Sequence, residues 1–212
     1  MAKNKYYVVK NGRNIGIFNN WADCSKQVQG FSGAIYKGFT TLDEAETYFN
    51  GQESKESKYY ETEYEIYNNI KENEMIAYVD GSNLGDGSAF SWGIVTFSSK
   101  LGKQCISGKS EDPEQIKYRN VAGELFASVC ATKFAIDNKM TKIIIYHDYS
   151  GVRHWALDEW KTKSKLSQDY KVFFKKAKDY IDYEFVKVKG HTGDKFNEEA
   201  DLLAKRALNI IS

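Results

Sequence analysis

Apolar residues fall into two kinds of run along this chain, and their spacing separates strands from helices. Met75-Ile76-Ala77-Tyr78-Val79 and Ile143-Ile144-Ile145-Tyr146 are continuous apolar stretches of strand length, as buried strands require. Leu125, Val129, Thr132 and Ile136 instead recur at helical spacing, and Leu202-Leu203 lies in a second such segment. Over residues 75–212 the pattern predicts strands near 75–80, 90–98 and 103–108, then a long helix near 120–138 and a strand at 142–147. One or two helices follow between about 151 and 180, with Trp155, Leu157 and Trp160 as core candidates, before a strand at 182–188 and a helix near 195–209. Ser98-Ser99-Lys100-Leu101-Gly102 suits a hairpin. Three antiparallel strands followed by alternating helix and strand predict an α/β unit, a mixed five-stranded sheet with helices on its faces. The first 50 residues read as a smaller α+β unit of pattern ββαβα, with strands near 5–10, 14–18 and 33–38. Its helices are expected near 20–28 and 41–50, the second capped by Thr41.

Between these units the pattern lapses, and charge marks the gap. Residues 51–74 carry 3 Lys against 7 Glu, in a chain whose overall net charge is +1. The stretch reads as an acidic linker, partly helical, so the expected division is a unit at 1–50, a linker at 51–74 and a larger unit at 75–212. Setting aside Asp80, Glu124, Asp148 and Asp201, the larger unit has 21 basic against 14 acidic residues, a surface suited to a polyanion. No stretch reaches the length of a membrane helix and the start has no apolar signal region, so a cytoplasmic protein is expected. Cys24, Cys105 and Cys130 lack the spacing of a disulfide framework or a zinc site and are expected to be small core residues. Gly85, Gly87 and Gly93 precede no helix, so they make no phosphate-binding loop.

Asp80 and Asp148 each close an apolar strand, Gly81-Ser82 following Asp80 as an expected turn, while Glu124 and Asp201 sit in predicted helices. An α/β fold can gather such acids at one sheet edge, and like charges brought together call for divalent cations. His191, between Gly190 and Thr192-Gly193, titrates near neutrality and suits proton movement. His147 and His154 are read as structural.

The motifs around these acids, in this order, resemble type 1 ribonuclease H: Tyr78-Val79-Asp80-Gly81-Ser82, Asn120-Val121-Ala122-Gly123-Glu124-Leu125, Ile145-Tyr146-His147-Asp148-Tyr149, and Lys187 to Asp194 through Asn197 to Ala200-Asp201-Leu202-Leu203-Ala204. The resemblance implies cleavage of the RNA strand of an RNA/DNA hybrid with two Mg²⁺ ions, Mn²⁺ substituting, held by Asp80, Glu124, Asp148 and Asp201. It further implies 3′-hydroxyl and 5′-phosphate products, a catalytic role for His191 on a loop, and substrate contacts from Gly81, Ser82 and Asn120. The span from Trp155 to Tyr180 is too short for the basic helix and loop that some members insert. Its many lysines suit either the DNA strand's phosphates or a solvated helix face.

The N-terminal pattern resembles the hybrid-binding domain that precedes many such ribonucleases, over about residues 4–50. That implies nucleic-acid contacts from Tyr7, Trp21, Tyr36 and Lys37, with weaker binding of double-stranded RNA; aromatics beside cations suit sequence-tolerant binding. Gly38 stands where relatives often carry a second lysine, which leaves the unit's affinity open. The expected protein is a monomeric ribonuclease H. A non-catalytic hybrid-binding protein, or a DNA-acting nuclease of the same fold, remains the alternative.

Overall fold

The computed structural model describes residues 5–49, 60, 62–188 and 194–210. The chain divides into two compact units, Met1–Lys58 and Tyr59–Ser212. The smaller contains β1 (Tyr6–Asn11), β2 (Gly16–Phe18), α1 (Trp21–Val28), β3 (Ile35–Phe39) and α2 (Leu42–Phe49). Its antiparallel sheet has the order β2-β1-β3. Asn20 caps α1, accepting from Asp23 N, and Thr41 and Glu44 bond reciprocally at the start of α2. Val9, Cys24 and Val28 form its buried core, with Tyr7, Phe18 and Ala34 packed around them.

The larger unit runs α3 (Glu63–Asn69), β4 (Glu74–Asn83), β5 (Phe90–Ser98), β6 (Gly102–Ser110), α4 (Pro113–Ile116), α5 (Asn120–Asp137), β7 (Lys142–His147), α6 (Gly151–Ala156), α7 (Lys165–Ala177), β8 (Asp182–Lys187) and α8 (Lys195–Ala207). The sheet order is β6-β5-β4-β7-β8, with β4, β7 and β8 parallel and β5 and β6 antiparallel. Strand alternation sends Met75, Ala77 and Val79 into a core with Leu125, Ala131, Tyr170 and Phe174. Ile76 and Tyr78 go to the other face, against Phe196 and Ala200 of α8. Helix α8 lies close because a Cβ on Gly93 would fall 2.0 Å from Ala200 O, an approach only glycine permits.

Several expectations change. Tyr60 and residues 62–74, assigned from sequence to the linker, are built into the larger unit. Tyr60 and Ile66 are buried in the α8-side core, Tyr67 meets Phe97 edge-on at 6.0 Å, and Lys103 binds both Glu63 (3.0 Å) and Glu199 (2.8 Å). Polar composition hid the single apolar stripe of α3, which follows a Thr62/Glu65 capping box. Gly81-Ser82 is not a turn: β4 continues to Asn83 because β5 pairs with it throughout, Gly81 facing Trp92 and Ser82 facing Ser91. Leu157 follows the short α6 and is 41% exposed, and Cys105 is exposed on an outer strand. Among the described residues no helix is long and apolar enough to cross a membrane.

Candidate active site

Parallel pairing between β4 and β7 ends at Tyr78 and Tyr146. Two residues further on come Asp80 and Asp148, so neighbouring-strand spacing of about 4.8 Å sets their carboxylates side by side at one sheet edge. Glu124 arrives from the second turn of α5, whose start presses backbone against backbone. A Cβ on Gly81 would lie 2.4 Å from Glu124 N, and one on Gly123 would lie 2.2 Å from Ser91 O. Two glycines thus let the helix seat Glu124, 3% exposed, beside Asp80. Carboxylate oxygens of Asp80, Glu124 and Asp148 all lie within 4.8 Å of one another.

Asp201 reaches the same cleft from α8, together with Gly81, Asn120 and Tyr149. It does not join the three mutually close acids; its carboxylate accepts from Lys205 Nζ at 2.6 Å, one turn along the helix. The structure therefore brings three predicted acids to one point and the fourth to the cleft wall.

Electrostatics follow from this crowding. Burial, then Asp148, pushes the Asp80 carboxyl up to about 7, although Gly81 N–H donates to it at 2.7 Å. Burial, then Asp80 and Asp148, raises Glu124 well above the ordinary carboxyl range. Glu124 Oε2 is buried without a hydrogen-bond partner. A cluster of this kind ionises fully only when a cation compensates it. Its ligands are all hard oxygens, which fit Mg²⁺ or Mn²⁺ with retained waters.

Of the remaining predicted residues in this unit, Asn120 begins α5 and lines the cleft, whereas Ser82 lies in β4 and is not among the lining residues. His191 lies outside the described residues. His147 is buried with Nδ1 2.9 Å from Tyr149 O, and buried His154 pairs with Glu159 and stacks on Trp160. Two residues escaped the sequence reading, one lining the cleft and one paired with a residue that does. Tyr149, whose phenol is pushed up by burial and by Glu124, follows Asp148 directly. Lys205 stands four residues after Asp201, the helical spacing that could have revealed it.

In the smaller unit, Tyr7, Trp21 and Tyr36 form a continuous aromatic face, with ring centroids 5.4 Å and 5.6 Å apart. Trp21 and Tyr36 are 44% and 47% exposed. Lys37 is not on that face. Pairing opposite Val8, it lies across the sheet with its ammonium over Phe39 and Tyr48.

Comparison with known proteins gives two family matches: the "RNase H" family over residues 72–209 and the "Ribonuclease H1 N-terminal domain" over residues 5–49. Ribonuclease H of Schizosaccharomyces pombe is 26% identical over 263 aligned positions, covering 96% of this chain and 97% of that protein. Ribonuclease H of Crithidia fasciculata is 49% identical over 53 residues, 25% of this chain but only 11% of that protein's length. RNase H1 from Halobacterium salinarum shares the fold with a TM-score of 0.55 and 23% identity, covering 65% of this chain and 99% of that structure.

Proposed function

Because this chain belongs to the ribonuclease H family, nucleases that act on RNA/DNA hybrids, we propose that it cuts the RNA strand by hydrolysis at the Asp80–Glu124–Asp148–Asp201 cleft, leaving 3′-hydroxyl and 5′-phosphate ends. The observation that carries this reading is the convergence of Asp80, Glu124 and Asp148 oxygens within 4.8 Å. These carboxylates would hold two Mg²⁺ ions, with Mn²⁺ able to replace them, and Asp201 would complete the set. When bound, the ions supply Lewis acidity toward the scissile phosphate and the leaving 3′-oxygen.

The chain's own groups orient the reaction. Asp80 lies in β4 and Asp148 directly follows its neighbour β7, and rigid strand ends hold geometry better than loops. Gly81 and Asn120 border the cleft and offer hydrogen bonds to an RNA 2′-hydroxyl, the group that tells RNA from DNA. Lys205 holds Asp201 at the wall until substrate and cations compete for it. His191 carries protons to or from the departing product. An assay with labelled RNA/DNA hybrid, double-stranded RNA and double-stranded DNA, each with Mg²⁺ or Mn²⁺, should show cutting of the hybrid's RNA alone. Cleavage of double-stranded DNA, or an intact hybrid, would refute the assignment.

The smaller unit grips the hybrid through Tyr7, Trp21, Tyr36 and Lys37, and double-stranded RNA more weakly. Its support is the exposed aromatic face, since each stacked ring contributes about 1–3 kcal/mol with little regard to sequence. Trp21→Ala should therefore weaken hybrid binding roughly 5- to 100-fold while cleavage at saturating hybrid persists. Fluorescence anisotropy with a labelled hybrid checks this, and an unchanged affinity would place Trp21 in packing alone.

A further inference from the structure

On the sheet face opposite the aromatic triad, Lys10 and Lys37 converge on one ring. Lys10 Nζ lies 4.4 Å from the Tyr48 centroid and Lys37 Nζ 5.5 Å from it, so the two ammoniums lie within about 10 Å of each other. Their strands explain the meeting. Lys37 pairs opposite Val8, and Lys10 stands two residues beyond Val8 at the register shift between Val9 and Asn11, where its ammonium reaches the same Tyr48 ring. Among the described residues no carboxylate pairs with either lysine. Glu44 of α2 is occupied at the helix start by Thr40 and Thr41. Two like charges are thus held beside one electron-rich ring, with no anion paired to them among the described residues.

The geometry points to Lys10 as a second phosphate-binding cation that acts with Lys37 on one strand of a bound hybrid. A nucleic-acid strand presents a phosphate about every 3.4 Å along its axis, so a stretch of about 10 Å offers more than one phosphate to the two ammoniums. Strand β3 is an outer strand of the sheet and carries Tyr36 on one face and Lys37 on the other. A backbone lying along that edge meets the aromatic face with its sugars and the paired lysines with its phosphates. Tyr48 holds the ammoniums in place through cation–π contact, which limits the side-chain entropy lost on binding. This deepens the reading of the smaller unit as a hybrid-binding module and depends on it.

The test measures hybrid affinity of the full chain in EDTA as a function of salt, for wild type, Lys10→Gln, Lys10→Arg and Lys26→Gln. Lys26 is the control because it removes the same charge from α1, where it pairs with Asp23 at 2.9 Å. Lys10→Gln should bind about three- to tenfold more weakly, and its slope of log affinity against log salt should shrink by about 0.7–0.9, the release of one phosphate contact. Lys10→Arg should keep the slope, and Lys26→Gln should match wild type. A wild-type slope in Lys10→Gln would overturn the assignment. So would an equal loss in Lys26→Gln, which would mark a diffuse charge effect. If Lys10 served only the nearby end of α2, Lys10→Gln would lower the melting temperature and leave the slope intact, again overturning it. Failure of the wild-type chain to bind hybrid would remove the parent reading as well.

Discussion

Asp148→Asn should lower hybrid cleavage at least about 10³-fold, a barrier increase of roughly 4 kcal/mol, while hybrid affinity is kept. Asparagine preserves the shape of the side chain just beyond β7 but replaces an anionic ligand by a neutral one beside Asp80 and Glu124. Asp148 is only partly buried, so the substitution leaves no uncompensated charge in the core. Removing a negative charge also lessens repulsion of a polyanion, so binding should hold or strengthen. Single-turnover cleavage and anisotropy, run side by side with a melting curve, separate the possibilities. A loss of affinity that parallels the loss of rate would assign Asp148 to fold or grip instead of chemistry.

Asp80→Asn should raise stability, and only under particular conditions. An Asp80 carboxyl near 7 in the folded protein compares with about 3.9 in an unfolded chain. The folded state therefore holds the proton more tightly between those values. Stability from this group is present below about pH 4 and is lost as pH rises through about 7. Metal-free Asp80→Asn has no such proton to lose, so at pH 8 it should exceed wild type by about 2–4 kcal/mol, or about 5–15 °C in melting temperature. At pH 4 the difference should nearly vanish. Added Mg²⁺ should raise the wild-type melting temperature at pH 8, because the ion binds only the assembled cluster, and should do little for the variant. Equal melting temperatures in EDTA at pH 8, or the same gap at both pH values, would show that Asp80 is not strained by its neighbours.

Much of the fold was legible because its strong signals are local. Strands β5 and β7 and helix α5 follow from apolar runs and helical spacing, and the parallel neighbours β4 and β7 follow from two apolar strands each closed by an acid. Helix α3 was less legible. It buries one residue, Ile66, in a polar stretch, and its place depends on Phe97 and Lys103, which lie far away in sequence. The end of β4 was misread for a similar reason: Gly-Ser favours a turn locally, but pairing with β5 carries the strand through it.

The candidate site divides in the same way. The sequence by itself determined which acids are present, their order, and their positions at strand ends and in helices, since these depend on residue type and local periodicity. Only the tertiary structure decided how closely they meet. Contacts at Gly81 and Gly123 draw Glu124 against Asp80, where burial and mutual repulsion raise both carboxyls. Lys205 holds Asp201 at the cleft wall, and alternation along β3 sends Lys37 away from Tyr36 to meet Lys10 over Tyr48. Distance, burial and the side of a sheet arise from packing between segments remote in sequence, and they set the electrostatics on which this site depends.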